Sequence, residues 1–208
     1  MRGIILDRIK YKENDLKITI LTDEIGKTEL IVRSGQKSNS KMAAHVEPLN
    51  LVRLDIIQGK QINYVKNVYS VECFCELKSN ISKINIASKA IFFIKKNIKE
   101  NDFSLKILLF LYNFLSFLDS YKDEVNEKPL NIFFLKVLIS ESLMPEYSVF
   151  KTRVIDRLYD SPVNIDFIYS NLIKLIEREE YPFWDQYNFS ELETSLVSDI
   201  NKYAIGLN

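Results

Sequence analysis

One histidine, two cysteines and five glycines are all that a 208-residue chain offers of the residues most active sites rest on. With His45 alone, no Ser-His or Cys-His arrangement can recruit a second imidazole, and no multi-histidine metal site can form. Cys73 and Cys75 could give a metal two thiolates at most. Two apart along an expected strand, they also point the same way and bridge poorly. A chain without a disulfide framework fits a reducing compartment, and the expected location is cytoplasmic. So few glycines hold no phosphate-cradling loop. The carboxylate pairs Asp23-Glu24 and Glu179-Glu180 read as charged surface. The expectation is a protein that is not an enzyme and uses no cofactor, a carboxylate-only site being the remaining catalytic alternative.

Long apolar runs are scarce as well. Met1 to Asp7 lacks the apolar length and cleavage site of a secretory leader. Phe103 to Leu118 is shorter than the roughly 20 residues a membrane span needs, and it contains Lys106 and Asn113. It reads as a buried helix, and no membrane partner is expected.

Charge balances in total, with 28 basic and 28 acidic residues, but not along the chain. Residues 1–78 carry 13 basic against 10 acidic, residues 79–141 carry 9 against 7, and residues 142–208 carry 6 against 11. Any affinity for a polyanion must therefore come from local segregation of charge.

The first third has strand chemistry. Leu16, Ile18 and Ile20 alternate with Lys17 and Thr19, and Thr22 to Gly26 reads as a hairpin turn into Thr28 to Val32. Val52, Leu54 and Ile56 alternate with Arg53 and Asp55, and Gln58-Gly59-Lys60 turns the chain into Ile62 to Phe74. With Gly3 to Tyr11 these make five strands without room for crossover helices. A small closed barrel is expected, of which the OB-fold is the commonest five-stranded kind.

The period then changes. Ile84, Ala87, Ile91, Ile94 and Ile98 stand at helical spacing, and Asp102 can cap a second helix running to Leu118. Leu130–Leu143 follows a charged link and stops at Pro145. Ser161-Pro162 opens a helix reaching Arg178, Ser190 and Glu193 form a capping box, and Gly206 is a C-terminal stop. The fold class is α+β: a five-stranded barrel over residues 1–78 and an all-α domain over 79–208. Phe92, Phe93, Phe110, Phe114, Phe117, Phe133 and Phe134 are expected in the helical core.

The strongest chemical signal is Arg33-Ser34-Gly35-Gln36-Lys37-Ser38-Asn39-Ser40-Lys41. It has three cations, no acid and small polar residues that let backbone approach phosphates. Lys27 and Arg53 can extend the surface. A solvated loop has the same composition, so both readings stand. Tyr11, Tyr64, Tyr69 and Phe74 could stack bases, although packing inside so small a barrel is the plainer expectation.

These segments resemble RecO, a family of bacterial recombination mediators. The likeness rests on Gly3-Ile4-Ile5-Leu6, on Tyr11, Glu13 and Asp15, and on Leu21-Thr22 and Gly26-Lys27. It runs on through Arg33, the basic loop and Ser40 to Glu47-Pro48-Leu49 and Leu51, ungapped from Gly26. Past residue 75 only the layout is similar, with Asn131–Leu143 ending before Pro145. Gln36 and Asn39 stand where the family loop commonly carries positive charge.

The resemblance implies an OB-fold joined to a helical domain that holds protein contacts and further DNA contacts. It also implies binding of single- and double-stranded DNA, annealing of complementary strands, and loading of RecA together with RecR. A further implied partner is the acidic, apolar C-terminal tail of the single-stranded DNA-binding protein. Arg33, Lys37 and Lys41 would touch phosphates with help from Lys27 and Arg53. Lys136, Lys151 and Arg153, which match no motif of the family, are the candidates chosen for the rim of the tail's cleft. The four-cysteine zinc site of many members has no counterpart, so no metal is expected. The rival reading is a protein-interaction adaptor whose OB-fold has little DNA affinity of its own.

Overall fold

The computed structural model of the chain describes residues 1–123, 125–143 and 165–178, with scattered positions between 180 and 202. Pro145, Lys151, Arg153, Ser161, Pro162, Ser190, Glu193 and Gly206 lie outside the described residues.

Five strands form: β1 (Arg2–Tyr11), β2 (Asp15–Thr22), β3 (Gly26–Val32), β4 (Leu51–Ile57) and β5 (Asn63–Glu72). They close in the order β1-β2-β3-β5-β4. The β3–β5 pair is parallel and the others are antiparallel. This is an OB-fold. The period-two pattern of the sequence decides what faces inward: Ile5, Leu16, Ile18, Ile20, Leu30, Val32, Val52, Leu54, Val65 and Val68 form one buried cluster. Each such side chain adds roughly 1.5–3 kcal/mol over leaving it in water.

The β2–β3 turn closes on Thr22, whose hydroxyl donates to the Gly26 carbonyl at 3.0 Å and accepts from the Ile25 N–H at 3.1 Å. Gly26 has φ +71°, and a Cβ there would lie 2.1 Å from the Asp102 carbonyl oxygen. Only glycine fits so close an approach.

β5 stops at Glu72, short of the expected end at Phe74. Phe74 turns into the left-handed region at φ 49° with its ring buried, and α1 (Cys75–Ser79) begins. Cys73 and Cys75 therefore do not share a strand face; Cys75 opens the helix. Asn80 caps α2 (Ile81–Asn97), its side chain accepting from the Ser82 and Lys83 N–H groups. The third helix, α3 (Leu105–Ser120), starts after Ser104 and not on an Asp102 cap. Phe92 of α2 points to solvent at 65% exposure, contrary to its expected place in the core, whereas Phe93 and Phe114 are buried.

The chain divides into two compact units, Met1–Lys122 and Asp123–Asn208. The division expected at 78/79 marks where strands give way to helices, but α1–α3 remain with the barrel. The reason is on the barrel's outer surface. Ile4 and Leu21 alternate with interior residues yet are fully buried, and α3 packs against β1 and β2. The Leu77 N–H also donates to the Asp119 carboxylate at 2.8 Å, fastening α1 to the end of α3.

In the second unit, α4 (Lys128–Ser140) starts with Pro129 in its first turn and is buried along Ile132–Leu138. It packs against α5 (Ile165–Arg178). Among the described residues no helix is long and apolar enough to cross a membrane.

Candidate nucleic-acid interface

The strand directions bring three connections to one rim of the barrel. These are residues 12–14 between β1 and β2, residues 58–62 between β4 and β5, and the start of the segment 33–50 that leaves β3. The rim gathers Lys10, Lys12, Arg33, Lys37, Lys41 and Lys60, all exposed, against the acids Glu13 and Asp15. None of the six cations pairs with a carboxylate among the described residues. An open cleft of about 390 Å³ lies along the rim between Lys10 of β1 and Gly35-Gln36 of the loop.

The loop is held in shape by hydrogen bonds to the β1–β2 connection and the start of β2. Ser34 takes φ 53°, and its N–H donates to an Asp15 carboxylate oxygen at 2.8 Å. The Gln36 N–H donates to the Asn14 carbonyl at 2.9 Å. Its side-chain amide faces three more carbonyls, at 2.6 Å from Asp15, 3.2 Å from Lys12 and 3.5 Å from Tyr11. Gln36 thus pins the basic loop to the β1–β2 connection. Arg33 stacks over Tyr64 with its guanidinium carbon 4.3 Å from the ring centroid, which fixes the plane and leaves edge donors facing water.

The rest of the segment is structural. Val46, Leu49 and Asn50 are buried, and Leu49 and Asn50 exchange backbone hydrogen bonds with Ile5. Arg8 secures this part through Glu47 at 2.8 Å and the Ala43 carbonyl at 3.0 Å. On the outer β2–β3 face, Lys17 and Glu29 neutralise each other at 2.9 Å.

The expected supporting residues are elsewhere. Lys27 stands at the start of β3, at the far end from the rim, and is buried. Its ammonium donates to the Lys95 carbonyl at 2.6 Å. Desolvation lowers its pKa, with Glu100 partly offsetting the shift and Lys95 adding to it. A buried amine bound to a carbonyl is not a phosphate contact, because the methylene stem is used up reaching inward. Arg53 is exposed but lies four residues before the end of β4, roughly 13 Å from the rim along the strand. Lys136 is buried, its ammonium 6.0 Å from the Tyr181 ring centroid, and forms no exposed basic rim. In the second unit an open cleft of about 570 Å³ is lined instead by Lys128, Lys202, Asn131, Phe189 and Val197.

Sequence reasoning missed Lys10 at the end of β1, Lys12 in the β1–β2 connection and Lys60 in the β4–β5 connection. Only the strand order brings them together. It also took Gln36 for a lost charge.

Of the four barrel aromatics, Phe74 is core, while Tyr64 and Tyr11 lie beneath Arg33 and Lys12. Tyr69 alone is open, at 61% exposure.

A closed five-stranded barrel in the order β1-β2-β3-β5-β4, with cations gathered on one rim, defines the class: an OB-fold module. Residues 1–74 match the family model described as "Recombination protein O N terminal", so the barrel is similar to the N-terminal part of RecO proteins. The DNA repair protein RecO of Leuconostoc mesenteroides is 27% identical over 148 residues, covering 70% of this chain and 56% of that protein. RecO of Streptococcus thermophilus is 31% identical over 88 residues, covering 42% and 34%. RecO of Caldicellulosiruptor saccharolyticus is 24% identical over 147 residues, covering 71% and 59%. The matches span between a third and three fifths of the length of these curated relatives.

Proposed function

We propose that the chain acts as a RecO-like DNA repair and recombination mediator without bond-making chemistry of its own. It binds single- and double-stranded DNA through the barrel rim, anneals complementary strands, and with RecR helps to load RecA. The observation that carries this reading is the convergence of six carboxylate-free cations on one rim, around a loop that Gln36 holds in place. The tail of the single-stranded DNA-binding protein is the proposed protein partner. The cleft with Lys128 and Lys202 beside Phe189 and Val197 has the basic and apolar lining such a tail requires.

Fluorescence anisotropy with labelled single-stranded DNA tests the rim. Lys37→Glu with Lys41→Glu should weaken binding to all sequences alike and lower the salt slope by roughly two units. Unchanged affinity and slope would reject the rim as the DNA contact. The burial of Lys27 and the Lys17–Glu29 ion pair favour a second reading, an adaptor with little DNA affinity. Tight binding of the tail peptide with no DNA binding at moderate salt would select it.

A further inference from the structure

Away from the rim, the outer face of β1, β4 and β5 carries an arrangement that the sheet itself does not explain. Arg2 of β1 stands directly opposite Arg53 of β4, and Arg53 stands directly opposite Tyr69 of β5. Directly opposed residues project to the same face with their Cβ atoms about 5 Å apart, so the three side chains form one row across three strands. All three are exposed, Tyr69 at 61%. Two like charges in direct opposition destabilise a sheet. Here neither guanidinium has a carboxylate partner among the described residues to relieve it.

The nearby acids are otherwise engaged. Asp23 accepts the backbone N–H of Arg2 at 2.7 Å, and Asp55 accepts from the Asn67 amide at 3.2 Å. His45 flanks the row, its ring 6.4 Å from that of Tyr69. Its Nδ1 accepts the Ser70 N–H at 3.2 Å, which holds the imidazole on this side of Tyr69.

An anion between the two guanidinium groups turns the repulsion into a pair of charge-assisted contacts. A flat apolar ligand face beside that anion would lie on the Tyr69 ring. A phosphate next to an unstacked base supplies both, and an unstacked base requires a single strand. We infer that Arg2, Arg53 and Tyr69 form a second nucleic-acid contact, in which the arginine pair takes one backbone phosphate and Tyr69 stacks the adjacent base. The inference rests on the proposed DNA-binding role but not on the rim residues. It gives one barrel two separate strand contacts, one electrostatic at the rim and one that selects unpaired bases on the β4–β5 flank.

The test uses the full chain and a fluorescein-labelled oligo(dT), with a blunt duplex as the second probe. Tyr69→Ala should weaken oligo(dT) binding roughly fivefold or more with the salt slope unchanged, leave duplex affinity as it was, and be rescued by Tyr69→Phe. Arg2→Gln with Arg53→Gln should lower the oligo(dT) salt slope by roughly one unit. Because it removes a repulsion, the double variant should melt no lower than the parent, so that weakened binding is not lost folding. If Tyr69→Ala and the arginine variant bind oligo(dT) like the parent while the Lys37/Lys41 variant does not, this inference is overturned and the rim reading stands. The converse pattern rejects the rim and keeps the row. Equal losses for oligo(dT) and duplex on Tyr69→Ala would also overturn it, since stacking cannot act on paired bases.

Discussion

The side-chain amide of Gln36 donates to the main-chain carbonyl of Asp15 at 2.6 Å, and through that contact the basic loop is tied to the start of β2. By charge alone Gln36 is a missing cation. By geometry it decides where the cations on either side of it stand, because Lys37 follows it directly and Arg33 precedes it by three residues. A loop fixed before binding loses less conformational entropy on meeting a phosphate backbone.

Gln36→Leu keeps the approximate volume and neutrality but removes the donors. DNA affinity should fall roughly threefold to tenfold with an unchanged salt slope, since no phosphate contact is lost and only preorganisation is. Parallel titrations at several salt concentrations separate the two effects. A lowered slope would mean that the loop has left the DNA altogether.

Arg33 makes a related point, because its stack on Tyr64 depends on a planar guanidinium. Arg33→Lys retains the charge and loses the stack and the paired donors. Affinity should drop about twofold to fivefold with little change in salt slope, and Tyr64→Leu in the parent background should reproduce most of the loss. If Arg33→Lys binds like the parent, the stack has no role in DNA binding.

Much of the barrel could be read in the chain. Period-two alternation at Leu16, Ile18 and Ile20, and again at Val52 and Leu54, reports a surface with one side buried. The helical switch after residue 80 is equally plain. What stayed hidden depends on tertiary placement. Phe74 reads as a strand residue because its ring is apolar, and nothing local announces its positive φ. Lys27 reads as a surface cation, because a sequence does not say that the Lys95 carbonyl and the Asn101 strap will cover it. The rim was half legible: the run from Arg33 to Lys41 is contiguous in sequence, whereas Lys12 and Lys60 join it only through the order β1-β2-β3-β5-β4.

Gly26 gives a stability test of that strap. Its φ of +71° and the 2.1 Å separation between a would-be Cβ and the Asp102 carbonyl leave no room for a methyl group. Gly26→Ala must strain the turn and displace the segment between α2 and α3. A loss of about 2–3 kcal/mol in urea unfolding is expected. Parent-like stability would show that the strap moves aside without cost.

Lys27 separates the rim reading from a charge count. If it is the buried amine described above, Lys27→Met should leave DNA affinity and salt slope as they were, while a slope lowered by roughly one unit would return it to the phosphate contacts. Its pH signature has a definite sign. Desolvation lowers the folded-state pKa below the ordinary 10.5, so the folded chain releases this proton more readily than the unfolded chain. The stability that Lys27 contributes is therefore greatest above 10.5 and is lost as pH falls through the lowered folded value. Measured as the difference in urea unfolding between parent and Lys27→Met, the parent should gain on the variant as pH rises toward 10.5, where other lysines titrate in both proteins and cancel. A difference that is flat across that range, or one that shrinks with rising pH, would mean that the Lys27 ammonium is solvated in the folded protein.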